Sequence, residues 1–141
     1  LPGARELLQA VAEAGHAVVL ATSAPESELA RLRDLLDAGE WVTAETSSED
    51  VEQAKPDPGI IRVALDKVGV SADDAVMVGD AMWDVESAGK VGVQCVGVMT
   101  GGIGGDELRA AGAAEVYDDA AAVLAAFRAG EGPLAALGRR A

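Results

Sequence analysis

The sequence predicts an α/β domain built on a parallel sheet with helices on both faces, and three observations carry that prediction. Segments of helical periodicity alternate with short apolar runs along most of the chain. Two of those runs, Ala17-Val18-Val19-Leu20-Ala21 and Ala75-Val76-Met77-Val78-Gly79, are continuously apolar, the pattern of a strand covered on both faces. Half of the 141 residues are hydrophobic, enough to fill the core of one ordinary domain. That domain is expected over residues 1–129, with a short alanine-rich tail over 130–141.

Each element has a local reason. Arg5 to Ala14 places Leu7, Leu8 and Val11 on one helical face, and Gly15 supplies the stop. Ala17 to Ala21 is the first buried strand. A helix follows Pro25, with Glu26 and Glu28 in its first turn and Leu29, Leu32, Leu35 and Leu36 as its expected buried stripe. Trp41 to Ala44 reads as a short strand, and the polar, acidic stretch Glu45 to Gln53 as a surface loop. The next helix starts near Pro58, buries Ile61, Leu65 and Val68, and ends at Gly69. Ala75 to Gly79 is a second buried strand, followed by a helix across Trp83 to Ala88. Val93 to Met99 is a strand and Gly101 to Gly105 a glycine-rich loop. Asp106 to Ala111 forms a short helix, Glu115 to Tyr117 a last edge strand, and Ala120 to Ala129 a closing helix. The tail from Gly130 reads as a frayed helical turn or a disordered end.

Composition excludes several functions. With 24 acidic and 11 basic residues the net charge is −13, and no basic stripe exists to follow a phosphate backbone, so no nucleic-acid partner is expected. A single cysteine, Cys95, rules out an intrachain disulfide and a cysteine-based metal site. No apolar run approaches bilayer length, and no membrane partner is expected. Leu1-Pro2-Gly3-Ala4 has neither the charged nor the apolar region of a secretory leader. The expected setting is soluble, reducing and cytoplasmic.

In an open parallel sheet, ligands bind beyond the carboxyl ends of the strands. Thr22 and Ser23 follow the first strand; Lys55-Pro56-Asp57-Pro58 follows the acidic loop; Asp80 follows Ala75–Gly79, with Asp84 four residues on; Thr100, Gly101 and Gly102 follow Val93–Met99. Two neighbouring carboxylates repel, and a divalent cation relieves that repulsion. Hydroxyls, backbone N–H groups and an ammonium suit the oxygens of a phosphoryl group, whose transfer is mostly positioning and charge stabilisation. Each residue also has a plainer reading. Thr22 and Ser23 can cap the next helix, Lys55 can be a solvated loop lysine, and Asp84 can be a first-turn charge favoured by the helix dipole. Trp83 is expected to pack its helix, Cys95 to be an inert core thiol, and His16 to be structural. Gly101–Gly105 departs from a dinucleotide-binding fingerprint because Glu107 stands at the third glycine position.

In their order and spacing these residues resemble the haloacid dehalogenase superfamily, from Leu1 to about Ala126. Val18-Val19-Leu20-Ala21-Thr22-Ser23 looks like that family's second motif, Lys55-Pro56-Asp57-Pro58 like its third, and the run from Val76 to Ala88, containing Gly79-Asp80 and Asp84, like its fourth. The resemblance implies a Rossmann-like core and a Mg²⁺-dependent phosphatase of a small phosphorylated metabolite. It also implies roles: Thr22 and Ser23 bind phosphate, Lys55 stabilises the phosphoryl group and the nucleophile, Asp80 binds Mg²⁺, and Asp84 supports it.

One departure stands out. The family's first motif, Asp-x-Asp, supplies the nucleophile and the general acid–base, and no Asp-x-Asp triplet occurs here. In the family's topology that strand lies between those matching Ala17–Ala21 and Ala75–Gly79, which without it stand about 9.6 Å apart and cannot pair. The expectation is therefore that the nucleophilic strand and a helical cap precede Leu1. Two other readings remain open. Metal-free 2-haloacid dehalogenation is one, although those members carry Ser-Asn where this chain has Gly79-Asp80. A catalytically incomplete binding or regulatory fragment is the other.

Overall fold

The computed structural model describes residues 3–22, 25–37, 39–50 and 59–139. The chain forms two compact units, Gly3–Val70 and Ser71–Ala141.

The first unit runs α1 (Ala4–Glu13), β1 (Val19–Leu20), α2 (Glu26–Leu36), a 3₁₀ turn at Gly39–Trp41, β2 (Ala44–Glu45) and α3 (Ile60–Val68). β1 and β2 pair in parallel, Val19 opposite Ala44 and Leu20 opposite Glu45. This ladder is shorter than the apolar run suggested, and threonines of the neighbouring segment lengthen it at both ends. At one end the Val18 N–H donates to Thr43 Oγ1 at 3.0 Å while the Thr43 N–H donates to the Val18 carbonyl at 2.7 Å. At the other, Thr46 meets Thr22. The core of the unit is Leu7, Val11, Val18, Leu29, Ile61 and Ala64. α3 ends at Gly69, whose φ of 65° is the left-handed conformation that closes a helix.

The second unit runs β3 (Val76–Gly79), α4 (Met82–Lys90), β4 (Gln94–Val98), a 3₁₀ turn at Met99–Gly101, α5 (Gly105–Ala111), β5 (Glu115–Tyr117), α6 (Ala120–Arg128) and α7 (Gly132–Arg139). The strands form a parallel sheet in the order β3-β4-β5, with Met77 opposite Cys95 and Gly97 opposite Val116. β4 is central, and four of its five residues are buried. Val85, Ala88, Leu108, Val123 and Leu124 complete the core around it. Asp119 caps α6, its carboxylate accepting the Ala122 N–H at 2.9 Å.

Several expectations are corrected. The stripe assigned to α2 is buried only at Leu29; Leu35 is 81% exposed, because no described element lies over the far side of that helix. Trp41 falls in the 3₁₀ turn and the strand shifts to Ala44–Glu45. The polar stretch after it is not all surface loop: Thr46 and Ser47 are buried. β3 is not covered throughout, since Val78 is exposed. Trp83, expected to pack its helix, is 66% exposed, because the second position of α4 points away from the sheet that buries Val85 and Ala88. Residues 132–139, within the expected tail, form a two-turn helix. Among the described residues β1 pairs only with β2 and β3 only with β4, and on the other edge of each a further parallel strand is expected.

Candidate functional site

In the first unit, Thr22 stands two residues beyond β1 and is half-buried. Its backbone is held by one side chain. The Thr22 N–H donates to Thr46 Oγ1 at 2.8 Å, and the Thr46 hydroxyl donates back to the Thr22 carbonyl at 2.9 Å. Thr46 has no exposed surface, and its own N–H continues the ladder to the Leu20 carbonyl at 3.0 Å. Thr46 therefore does for Thr22 what a further pair of backbone groups would do in a longer strand, and it fixes where the chain leaves the sheet. Ser23 and Lys55, the other two phosphate-binding candidates, lie outside the described residues.

In the second unit, β3 ends at the buried Gly79 and delivers Asp80 to an exposed position before α4 begins. Asp84 comes back from the third position of α4 and accepts the Ala81 N–H through Oδ2 at 3.3 Å, filling one donor that a helix start leaves unpaired. Burial is the main force holding the Asp84 carboxyl above its ordinary range, and the nearby charge of Asp80 adds to it; backbone hydrogen bonds from Ala81 and Asp80 oppose the shift. Two glycines make this proximity possible. A methyl at Gly79 would sit 2.5 Å from Asp84 Cβ and 2.7 Å from its Oδ2. A methyl at Gly101 would sit 2.6 Å from the Asp80 carbonyl oxygen and 3.1 Å from its Oδ2. Neither glycine has a positive φ, so close approach is what requires them.

Asp80 and Asp84 are thus brought together, one accessible and one half-withdrawn from water. Their chemistry fits a hard divalent cation, which is commonly held by one or two carboxylates while keeping several waters. A cation there would offset both effects that disfavour the Asp84 charge. Among the described residues, no three His, Cys, Asp or Glu side chains gather as a ligand set, so these two acids are what the described residues offer.

Residues 1–92 match the family model of haloacid dehalogenase-like hydrolases. The chain belongs to that family. Among its curated relatives, the phosphoglycolate phosphatase of Rhodospirillum rubrum is 37% identical over 86% of this chain and 50% of its own length. That of Pseudomonas putida is 32% identical over 87% of this chain and 45% of its own. A crystal structure of a hydrolase from Pseudomonas syringae superposes with a TM-score of 0.82 at 31% identity, over 92% of this chain and 61% of the other. The chain spans about half the length of the curated relatives it matches.

For this haloacid dehalogenase-like chain, sequence reasoning names candidate reactive groups and misses the residues that hold Thr22, Asp80 and Asp84 in place. Thr46 was hidden inside a polar stretch, with no periodic signal to mark it as buried. Gly79 and Gly101 were read as a strand end and a loop. Their one sequence signal is position: each directly flanks, in sequence or across adjacent strand ends, an acid of the Gly79-Asp80 pattern. No helix of the described residues is long and apolar enough to cross a membrane.

Proposed function

We propose that this chain is the phosphate- and cation-handling part of a phosphatase that hydrolyses a small phosphorylated metabolite, with a phosphoglycolate-like ester as the first substrate to try. The observation that carries the reading is the Asp80–Asp84 pair at the end of β3, one carboxylate accessible and the other disfavoured as an anion by burial and by its neighbour. The phosphoglycolate phosphatases that share about a third of its residues support the substrate class.

In this proposal residues 1–129 make up one core domain. Thr22 and Ser23 donate hydrogen bonds to phosphate oxygens, and Lys55 supplies a fixed positive charge beside them. Asp80 holds Mg²⁺ and Asp84 orients and supports it. The cation, when bound, supplies positive charge that offsets the phosphoryl oxygens. The nucleophile is an aspartate carried by polypeptide preceding Leu1. It attacks phosphorus in line, the ester P–O bond breaks, and the departing oxygen takes a proton from the general acid expected on the same upstream segment. Water then cleaves the aspartyl-phosphate, releasing inorganic phosphate and restoring the carboxylate.

The test is release of inorganic phosphate from phosphoglycolate by the intact protein, with Mg²⁺ and with EDTA. Activity confined to the Mg²⁺ arm is expected. Equal rates in both arms refute the cation's role, and Mg²⁺-independent chloride release from a 2-haloacid, in place of phosphate release, would move the protein to the dehalogenases.

A further inference from the structure

We propose that Thr46 is a positioning residue for phosphate binding, acting through the backbone of Thr22. The inference rests on the reading of Thr22 as a phosphate-binding residue and names the group that sets its place. Three observations carry it. Thr46 is fully buried, yet it is polar and lies in a stretch whose composition is that of a surface loop. Both hydrogen-bonding capacities of its hydroxyl are used on one residue 24 positions away, accepting from the Thr22 N–H at 2.8 Å and donating to the Thr22 carbonyl at 2.9 Å. The Thr46 backbone is itself tied to Leu20, so the hydroxyl is referenced to the sheet and not to a free loop.

The physical consequence follows from the shortness of the ladder. β1 and β2 pair over two residues each, so the chain leaves the sheet at Leu20. Beyond the ladder, the placement of the backbone depends on bonds from outside the strand. The paired hydrogen bonds to Thr46 restrain the Thr22 N–H and carbonyl, and with them the position of the Cα–Cβ bond from which its hydroxyl is carried. A backbone placed before the ligand arrives spares part of the conformational entropy that binding a phosphate oxygen would otherwise cost, and displacing it by an ångström weakens the interaction sharply. Thr46 itself has no exposed surface and is not a catalytic residue.

The experiment compares wild type with Thr46→Val, Thr46→Ser and Thr22→Val in the intact protein. Thr46→Val keeps the shape and deletes the hydroxyl; Thr46→Ser keeps the hydroxyl and loses a methyl. KM for phosphoglycolate and inhibition by inorganic phosphate are measured below each variant's own melting temperature, together with amide hydrogen exchange. The expected result for Thr46→Val is a roughly tenfold rise in both KM and the phosphate inhibition constant. Its Thr22 amide should exchange faster while the Thr46 amide bonded to Leu20 stays protected, and Thr46→Ser should restore all three readouts. If Thr22→Val binds phosphate like wild type, the phosphate role of Thr22 fails and this inference with it. If Thr22→Val is defective while Thr46→Val is not, or if Thr46→Ser is as defective as Thr46→Val, the positioning role is overturned and the phosphate reading stands. Should Thr46→Val not fold, Thr46→Ser with normal KM and a protected Thr22 amide supports the proposal, and Thr46→Ser with a raised KM overturns it.

Discussion

Replacing Gly79 by alanine adds one methyl group, and the structure says where it goes. Gly79 lies at the buried end of β3, with ordinary negative-φ-compatible backbone, so alanine meets no conformational bar. The obstacle is Asp84, whose Cβ would lie 2.5 Å from the new methyl. Carbon atoms pack best at about 3.5–4.0 Å, so the start of α4 or the end of β3 must retreat by about 1 Å. Overpacking of this kind costs about 1–3 kcal/mol. The retreat also stretches the bond from the Ala81 N–H to Asp84, already 3.3 Å long. Losing that bond adds about 1 kcal/mol, for a total of about 2–4 kcal/mol and a drop in Tm of roughly 6–15 °C. Thermal and urea unfolding of Gly79→Ala measure it directly. Gly89→Ala is the control: Gly89 is an exposed position of α4 with nothing near its missing Cβ, and alanine there should stabilise by about 0.5–1 kcal/mol. The mechanism is isolated by repeating Gly79→Ala in an Asp84→Gly background, where most of the penalty should vanish. A Gly79→Ala protein that melts with wild type, or an equal penalty with and without the Asp84 side chain, refutes the steric argument.

Three further outcomes are expected. Leu29→Ala, at a residue 2% exposed, should lose about 2–5 kcal/mol, whereas Leu35→Ala on the same helix, 81% exposed, should stay within about 0.5 kcal/mol of wild type; urea unfolding compares them. Asp119→Ala should lower stability by about 1 kcal/mol in the same assay, because the Ala122 N–H at the start of α6 loses its acceptor. Burial pushes the Cys95 thiol up to about 11 from 9.0, so its contribution is fully present below pH 9 and is lost as pH rises toward 11, where the unfolded chain has released a proton that the folded one retains. Stability of wild type should therefore fall more steeply between pH 9 and 11 than that of Cys95→Ala, and parallel curves would rule out a proton held by the buried thiol.

What could be read from the sequence follows from which forces are local. α1 and α3 declare themselves because helical burial repeats every three to four residues, and β4 because a central strand needs apolar residues on both faces. Glu115–Tyr117 is expected as an edge strand and is one among the described residues. Asp80 and Asp84 are four residues apart on a strand–helix corner, so their juxtaposition is a local matter as well. Burial of Leu35 is not local. An apolar side chain is covered only if another element lies over it, and no pattern within α2 distinguishes Leu35 from Leu29. The run from Ala17 to Ala21 overstated β1 for a related reason: hydrophobicity reports how deeply a segment is covered, while strand length depends on how many backbone partners its neighbour supplies.

Thr46 and Gly79 show why the supporting part of a site is harder to read than the reactive part. A carboxylate or a lysine carries its chemistry in its own side chain, so residue type and position already narrow its use. Thr46 contributes through where its hydroxyl sits relative to a backbone 24 residues earlier, and Gly79 through the space it leaves for Asp84. Other residues of the same two types do neither: Gly89 faces open space, and the Thr43 hydroxyl accepts from Val18 away from the carboxyl end of β1. Geometry alone separates these cases. A survey that replaced only the candidate reactive groups would therefore miss what holds them in place. Pairing each candidate residue with its buried neighbour, Thr22 with Thr46 and Asp84 with Gly79, tests both levels, because a support that acts through its partner must lose its effect when that partner is already gone.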